Sequence, residues 1–311
     1  MRKTIIFTII FFILVAIVGF ALYVINPSVL YKRLTYKPTV SVVLPSYNMA
    51  NTLSEAMNSV INQTYEDWEL IVINDGSLDN TREVLKAYKN NYKIRVLHNR
   101  KNIGLVRTLN RGIKAARGKY IARLDADDVS LPDRFERQVN LMEKENLDLL
   151  SQTHYYDTKN IEIKPDILDT YATGMKLLIS VYFSHSSVMM RKGFLVDHNI
   201  QYNVNYPNAE DYDLYLAIFF NGGKIGDMGG HPVSIYRPAK HARKYRRIQY
   251  ISTRKIRIEY LSKLIPDLRP SKILPLSLCE LLPHVIEGNA KTQVLDNEKI
   301  KKYYSSNCKM D

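Results

Sequence analysis

The sequence contains only two cysteines, Cys279 and Cys308, and neither belongs to a Cys-x-x-Cys pair or to a histidine–cysteine pairing at zinc-ligand spacing. Zinc ribbons and disulfide-rich scaffolds depend on several cysteines at short, regular spacing. The chain is therefore predicted to be neither, and its cysteines do not identify the redox state of its compartment.

Glycine-rich phosphate-binding motifs are also absent. No Gly-x-Gly-x-x-Gly follows a strand pattern, and Gly-x4-Gly-Lys-Ser/Thr does not occur. The three glycines within residues 222–226 have no strand-turn-helix context and predict only a turn. If the chain binds a diphosphate, the negative charge has to be neutralised by a metal ion and basic side chains.

Basic residues outnumber acidic ones, 44 to 31. The 311 residues carry a formal charge of +13, which favours anionic partners such as nucleotides, lipid head groups or nucleic acid. A hydrophobic content of 46% is enough for one substantial core, or for one large and one small core.

The N-terminus begins with a long uncharged segment. Thr4 to Ile25 is 22 residues without a charge, long enough to cross the roughly 30 Å hydrocarbon layer as a helix. The segment exceeds the usual 7–15 apolar residues of a cleavable signal peptide. Residues 1–25 are therefore predicted to be a single-pass transmembrane anchor, and residues 26–38 a linker. Basic residues lie on both sides, so the side of the membrane stays open.

Residues 39–240 alternate between strand and helix patterns. Four short apolar runs predict buried strands: Thr39–Leu44, Trp68–Ile73, Ile94–Leu97 and Tyr120–Leu124. Helical patterns lie between and after them, the first with a capping box at Thr52 and Glu55. This alternation predicts an α/β fold with a mostly parallel central sheet and helices on both faces.

Polar side chains follow three of these strands. Tyr47 follows the first and offers a ring on which a base can stack, and Asp75 follows the second and can accept a hydrogen bond from an imide N–H. The third group is Asp125, Asp127 and Asp128, whose clustered carboxylates suit a divalent cation. The alternatives are a core-edge tyrosine, an Asx turn at Asp75, and an acidic turn before a helix capped by Ser130.

Six segments together resemble a family 2 glycosyltransferase with the nucleotide-sugar-binding, Rossmann-like fold called GT-A. The resemblance covers Val40 to about Arg237, and any one segment alone would be weak. In chain order the segments are Val42–Asn48, Ile73–Ser77, Asn102–Gly104 with Asn110, Leu124–Asp128, His185–Met189 and Glu210–Leu214.

The resemblance implies a donor site. Tyr47 and Asp75 would hold the uracil of a UDP-sugar, within a donor-binding loop that includes Pro45 and Asn48. Asp125 would approach the ribose. Asp127 would ligate Mg²⁺ or Mn²⁺ bridging the diphosphate, and Asp128 would assist through water. His185 would lie near the active site, although a buried, hydrogen-bonded histidine also explains it.

The resemblance also implies a general base in the pair Glu210–Asp211. A carboxylate at a helix start is electrostatically favoured in any protein, which is the alternative explanation. Asp211 matches the family's base better than Glu210. It would take a proton from the acceptor hydroxyl as that oxygen attacks the sugar with inversion. The spacing at His241 departs from the family's Tyr-Arg-x-His, so its role stays open.

Residues 241–311 are predicted to be a basic helical extension. Between Arg237 and Lys263 there are ten Lys or Arg and one acid, Glu259. A solvated charged face explains such a run, and contact with anionic lipid is the functional alternative. No recognisable nucleic-acid-binding module accompanies the charge, so nucleic acid is not an expected partner.

The sequence therefore predicts a membrane-anchored, metal-dependent, inverting glycosyltransferase with a glycan or lipid-linked acceptor. One alternative is a catalytically inactive, membrane-tethered module that binds a nucleotide or polyanion. A second is a glycoside hydrolase with Asp125 and Asp211 as its carboxylates, which leaves Tyr47 and Asp75 unexplained.

Overall fold

The computed structural model describes residues 27–152, 170–179, 183–228, 232–235, 242–266, 277–292 and 295–308. The predicted anchor, residues 1–25, lies outside them, as does His241. Among the described residues, no helix combines the length and apolar character that a membrane span requires. The predicted linker, residues 26–38, instead contains a helix, α1 (Pro27–Thr35).

The elements alternate as the sequence predicts. The strands are β1 (Val40–Ser46), β2 (Trp68–Asn74), β3 (Ile94–His98), β4 (Tyr120–Arg123), β5 (Val129–Ser130), β6 (Leu149–Ser151), β7 (Met189–Arg191), β8 (Ile225–Asp227) and β9 (Ser234–Ile235). The helices after α1 are α2 (Ala50–Ile61), α3 (Thr81–Lys86), α4 (Leu105–Ala115), α5 (Arg134–Lys144), α6 (Thr170–Leu177), α7 (Lys192–Asp197), α8 (Glu210–Phe220), α9 (Ala242–Leu264), α10 (Leu278–Thr292) and α11 (Asn297–Asn307).

The main sheet has the strand order β3-β2-β1-β4-β7-β6-β8. Strands β1 to β4 are mutually parallel, with Val43 opposite Ile71 on one side and Arg123 on the other. Strand β7 runs antiparallel between β4 and β6, and β8 is parallel to β6. The prediction of an α/β fold with a mostly parallel sheet is confirmed, and the carboxyl ends of β1, β2 and β4 meet at one edge.

Hydrophobic clusters cover both faces of this sheet. On one face, Val42 and Leu44 pack with Met57 of α2 and Phe135 of α5. On the other, Val43 packs in a cluster that includes Leu109 of α4 and many side chains of α8. Buried side chains that alternate between the two faces are what a strand covered on both sides requires.

The last three helices belong to this second cluster. Ile256 and Leu261 of α9, Leu281 of α10 and Ile300 of α11 are fully buried in it. A disulfide joins Cys279 to Cys308 and so links the start of α10 to the end of α11. The described part of residues 241–311 is helical and packs on the core of the α/β domain.

The predicted capping box of α2 is wrong, and so is the alternative explanation in which Ser130 caps α5. Helix α2 begins at Ala50, so Thr52 lies inside it, and the N–H of Ala50 donates to the distant Asp79 carboxylate at 3.0 Å. Ser130 does not cap α5, because it lies in β5, which pairs with β9. The turn after β4 is therefore held by a strand pair and not by a helix cap.

Candidate active site

The segment after β1 packs against the turn after β2. Asn48 adopts a positive φ of 55°, and its side-chain oxygen accepts from the N–H of Leu78 at 2.8 Å. Its own N–H donates to the Ser77 hydroxyl at 3.0 Å. Pro45 is buried at the end of β1, while the Tyr47 side chain is 40% exposed. Tyr47 is thus presented to solvent at the carboxyl edge of the sheet.

Asp75 is buried and organises the neighbouring loop. Its carboxylate accepts from the side chain of Asn99 at 2.6 Å and from the N–H groups of Ile103 and Gly104, both at 3.0 Å. Gly76 has a φ of 70°, and a Cβ there would lie 2.4 Å from the backbone of Lys101. A carboxylate has about four acceptor positions, so Asp75 retains capacity for a ligand N–H.

The acidic cluster forms as a group after β4. One carboxylate oxygen from each of Asp125, Asp127 and Asp128 lies within 4.8 Å of the other two. Asp128 is buried, whereas Asp125 and Asp127 are half-buried. Oxygen ligands at this spacing match the preference of Mg²⁺ and Mn²⁺ for carboxylates. The residues present therefore fit a divalent cation.

Arg123, the last residue of β4, compensates this cluster from inside the protein. It is buried and forms an ion pair with Asp125, and it donates to the Ser186 hydroxyl at 3.0 Å. Burial alone would raise the pKa of Asp125, but the adjacent guanidinium holds it below its usual range. Burial likewise opposes the charged form of Arg123, yet Asp125 raises its pKa overall. Both groups are consequently ionised at neutral pH.

A second buried arginine supports the first. Arg134 of α5 donates to the carbonyl of Arg123 at 2.9 Å and to the Ser130 hydroxyl at 2.9 Å. Burial, together with the nearby positive charge of Arg123, lowers the pKa of Arg134 to about 9. Helix α5 thereby fixes the end of β4, from which the acidic cluster projects.

His185 and Tyr202 form a pair beside the cluster. The His185 Nε2 lies 2.8 Å from the hydroxyl of Tyr202, which is buried. The charge of His185 contributes to lowering the pKa of Asp125. Burial raises the pKa of Tyr202, and the carboxylates of Asp211, Glu210 and Asp125 act in the same direction. Tyr202 therefore lies within electrostatic reach of both acidic groups.

Glu210 and Asp211 open helix α8, as predicted. Glu210 is buried, and Asp211 is half-buried and accepts from the N–H of Tyr212 at 2.8 Å. Burial and the neighbouring Asp211 raise the pKa of Glu210 to about 7. Burial also raises the pKa of Asp211, while Arg123 lowers it and Asp125 raises it. A carboxylate with a raised pKa is suited to accept a proton at neutral pH.

The structure thus brings the predicted residues to one edge of the sheet, in two groups linked by the buried Arg123 and Tyr202. The sequence reasoning missed five supporting residues: Asn99, Arg123, Arg134, Ser186 and Tyr202. Of these, Arg123 could have been recognised from the sequence, because it is a charged residue inside an apolar strand directly before an acidic cluster. Tyr202 belongs to none of the recognised segments.

The fold and the edge-of-sheet acidic site define a glycosyltransferase of the GT-A type. The family model described as glycosyl transferase family 2 matches residues 41–199, just over half of the chain. The chain belongs to glycosyltransferase family 2, which confirms the resemblance.

Relatives agree with this assignment. An uncharacterised glycosyltransferase of Haemophilus influenzae is 30% identical over 275 residues, covering 81% of this chain and 82% of its own length. The UDP-Glc:alpha-D-GlcNAc-diphosphoundecaprenol beta-1,3-glucosyltransferase WfgD of Escherichia coli is 31% identical over 179 residues, 58% of this chain and 69% of its own length. Because the chain belongs to this family, the glycosyltransferase interpretation is favoured over the two alternatives, the inactive binding module and the glycoside hydrolase.

Solved structures share the fold. TarS of S. aureus, in complex with UDP-GlcNAc, has a TM-score of 0.58 at 18% identity, covering 85% of this chain and 83% of that chain. The mannosyltransferase PcManGT of Pyrobaculum calidifontis, in complex with GDP-Man and Mn²⁺, has a TM-score of 0.57 at 16% identity. The match covers 88% of this chain and 80% of that chain.

Proposed function

We propose that this glycosyltransferase takes a sugar from a UDP-linked donor and transfers it to an acceptor hydroxyl with inversion. The observation that carries the proposal is that the acidic cluster after β4 and the pair Glu210–Asp211 both interact with Arg123. A donor held at the first group would present its sugar toward the second. The donors named for WfgD and TarS support UDP, and PcManGT makes GDP the competing nucleotide.

Asp127, with Asp125 and Asp128, would hold Mg²⁺ or Mn²⁺. Their oxygen-only donor set and close spacing support this assignment, as does the Mn²⁺ in the PcManGT complex. The ion would stabilise the negative charge that develops on the departing nucleoside diphosphate.

The remaining site residues bind and orient the reactants. The exposed ring of Tyr47 would stack on the base, while Asp75 would accept its imide N–H and Pro45 and Asn48 would shape the loop. The pair of His185 and Tyr202 would line the space between the donor and the pair Glu210–Asp211.

Asp211 would accept the proton of the attacking hydroxyl. Its raised pKa reduces the cost of becoming protonated at neutral pH, which is what a general base requires. Glu210 is buried whereas Asp211 is half-buried, so Asp211 rather than Glu210 would contact the acceptor.

The acceptor proposed here is lipid-linked, and the chain is proposed to reach it through the single-pass anchor at Thr4–Ile25. The uncharged length of that segment supports the anchor. The diphosphoundecaprenol acceptor named for WfgD supports a lipid-linked substrate. A tethered enzyme meets such an acceptor within the plane of the membrane.

The test is a donor screen with the full chain in a mild detergent. UDP-Glc, UDP-GlcNAc and GDP-Man are each supplied with Mn²⁺, with Mg²⁺ or with EDTA, and released nucleotide is measured. We expect UDP release that requires the metal. Release of GDP alone would assign a different nucleotide, and release unchanged by EDTA would remove the metal from the proposal.

The anchor is tested separately by a fragment that begins at Pro27. This start retains α1, whose Arg33 contacts the body of the domain. We expect this fragment to be soluble without detergent and to release UDP like the full chain. Aggregation of a fragment that still binds UDP would show that residues 1–26 cover part of the domain rather than anchor it.

A further inference from the structure

A second concave site lies at the opposite end of the sheet from β8. A cavity of about 480 Å³ is bounded by α1, α3 and the edge strand β3. Two strands, β2 and β1, lie between β3 and β4, which carries the acidic cluster. None of the residues assigned to the donor site lines this cavity, and no step of the proposed reaction uses it.

The rim of the cavity is cationic. Arg33, Arg82, Lys86 and Lys89 line it, and no acidic residue does. Lys86 pairs with Glu83 at 2.8 Å on the exposed side of α3. Within the part of the chain that the structure describes, Arg82 and Lys89 form no ion pair with a carboxylate. The rim therefore presents uncompensated positive charge to an anion.

The position of Arg33 is fixed by the protein. Its Nη2 donates to the carbonyls of Lys89 at 3.2 Å and Asn91 at 3.1 Å, and its own carbonyl accepts from Arg117 at 2.6 Å. The Nε of Arg33 is buried and has no hydrogen-bond partner among the described residues. The Arg33 guanidinium is therefore held in place by the protein itself and adds a fixed positive charge to the cavity wall.

The floor of the cavity is apolar. Leu85 of α3 and Ile94 of β3 are buried, and Val96 is half-buried beside them. A free phosphate or a sugar phosphate has no apolar group to place on this floor. An amphiphilic anion uses both the floor and the rim, because its charged group meets the cations while its apolar part covers the aliphatic side chains.

Helix α1 favours a membrane source for that anion. Tyr31 and Leu34 are 70% and 74% exposed, and they flank Lys32 and Arg33. Exposed apolar side chains interleaved with basic ones are typical of helices that lie at a lipid surface. Arg33 also follows the uncharged segment that ends at Ile25 by only eight residues.

We propose that this cavity binds the phosphate-bearing head group of an anionic membrane phospholipid, with α1 lying at the bilayer surface. Such a site would orient the donor domain relative to the membrane. It goes beyond the proposed sugar transfer, and lipid binding can be measured without any donor or acceptor.

The test uses the full chain in a non-ionic detergent and isothermal titration calorimetry. The probes are short-chain dihexanoyl phosphatidylglycerol, dihexanoyl phosphatidylcholine and inorganic phosphate. The variant is Arg82→Gln with Lys89→Gln, and the matched control is Lys301→Gln with Lys302→Gln on α11, where both lysines are exposed.

We expect phosphatidylglycerol to bind more tightly than the other two probes. The cavity variant lacks the positive charges of Arg82 and Lys89, so it should bind phosphatidylglycerol about tenfold or more weakly than the wild type. The control variant should bind it as the wild type does. UDP release should be the same in both variants. Equal weakening in both, no effect in the cavity variant, or equally tight binding of inorganic phosphate would each overturn the proposal.

Discussion

Arg123 and Asp125 are held together by a single hydroxyl. The Ser186 Oγ accepts from Arg123 Nη1 and from the N–H of Asp125, and it donates to Asp125 Oδ2, each at 3.0 Å. The ion pair between Arg123 and Asp125 completes this arrangement. The buried guanidinium thus allows three carboxylates to gather at the end of β4 before any cation binds.

This arrangement predicts an asymmetry in stability. Arg123→Met leaves Asp125, whose side chain is 33% exposed and can be solvated by water, and removes a weaker, longer-range attraction to Asp128 and to the pair Glu210–Asp211. Asp125→Asn leaves a fully buried guanidinium without its carboxylate, and breaking a buried pair in this way costs about 3–5 kcal/mol. We expect Asp125→Asn to lower the free energy of unfolding more than Arg123→Met, measured by urea denaturation. Ser186→Ala should cost only about 1 kcal/mol.

The double variant provides the control. Arg123→Met combined with Asp125→Asn removes both charges, so it should be less destabilising than the sum of the single changes. Strictly additive effects would show that the two side chains do not stabilise each other.

The strands could be predicted because their signal is local. The apolar, β-branched runs of β1 and β2 are buried on both faces, and such runs are typical of a parallel sheet. The position of Asp75 followed from the same logic, because the carboxyl ends of parallel strands meet at one edge. What the sequence did not reveal is that Asp75 also binds Asn99 and two backbone N–H groups, contacts that depend on a loop 24 or more residues away.

The features that sequence reasoning missed are non-local. The N-terminus of α2 is satisfied by Asp79, 29 residues from Ala50, so a local capping box was a misleading signal. Strands β6, β7 and β8 have three residues each, too few for a periodic pattern. Helix α1 within the predicted linker was not foreseen, because it is held by contacts of Arg33 with residues 56 or more positions away.

A second prediction concerns the metal. Asp127→Asn preserves the shape of the side chain and removes one of three clustered charges. We expect Mn²⁺ to enhance UDP binding much less in this variant than in the wild type, measured by calorimetric titration with and without the ion. Asp133→Asn, at an exposed position nearby, is the matched control. Equal enhancement in wild type and Asp127→Asn would remove Asp127 from the metal site.

A third prediction concerns pH. Burial and Asp211 raise the pKa of Glu210 from 4.5 to about 7. Between these values the folded state binds more protons than the unfolded state, so this group stabilises the fold at low pH. Its contribution should diminish as the pH rises from about 4.5 and be lost above about 7. Urea denaturation at pH 5.5, 6.5, 7.5 and 8.5 measures this, and Glu210→Gln should flatten the profile. An unchanged profile in the variant would assign the pH dependence to other groups.

A fourth prediction concerns helix α9, which braces the segment that carries the acidic pair. The Ser252 hydroxyl donates to the Pro207 carbonyl at 3.0 Å, and the Tyr260 hydroxyl donates to Asp213 at 3.2 Å. Tyr206 adds a hydrogen bond to Glu259. Small displacements of a catalytic group reduce the rate of the chemical step more than substrate binding.

We therefore expect Ser252→Ala combined with Tyr260→Phe to lower kcat about tenfold while leaving the KM for the donor nearly unchanged. Tyr250→Phe, on the exposed side of the same helix, is the control and should have no effect. Steady-state kinetics of the wild type and both variants measure kcat and the KM for the donor. A rise in the donor KM at constant kcat would show that α9 acts on donor binding instead.

The last prediction separates binding from chemistry at the acidic pair. Asp211→Asn is nearly isosteric, so UDP and metal binding should stay close to wild type. The amide cannot accept the proton of the attacking hydroxyl, and positioned general-base catalysis contributes about 10²–10⁴-fold. We expect sugar transfer to fall by that factor with no change in the cooperativity of unfolding. Glu210→Gln should reduce transfer far less, because Glu210 is buried whereas Asp211 is half-buried and accessible to an acceptor. Sugar transfer at the wild-type rate by Asp211→Asn, or complete loss of transfer in Glu210→Gln alone, would show that Asp211 is not the general base.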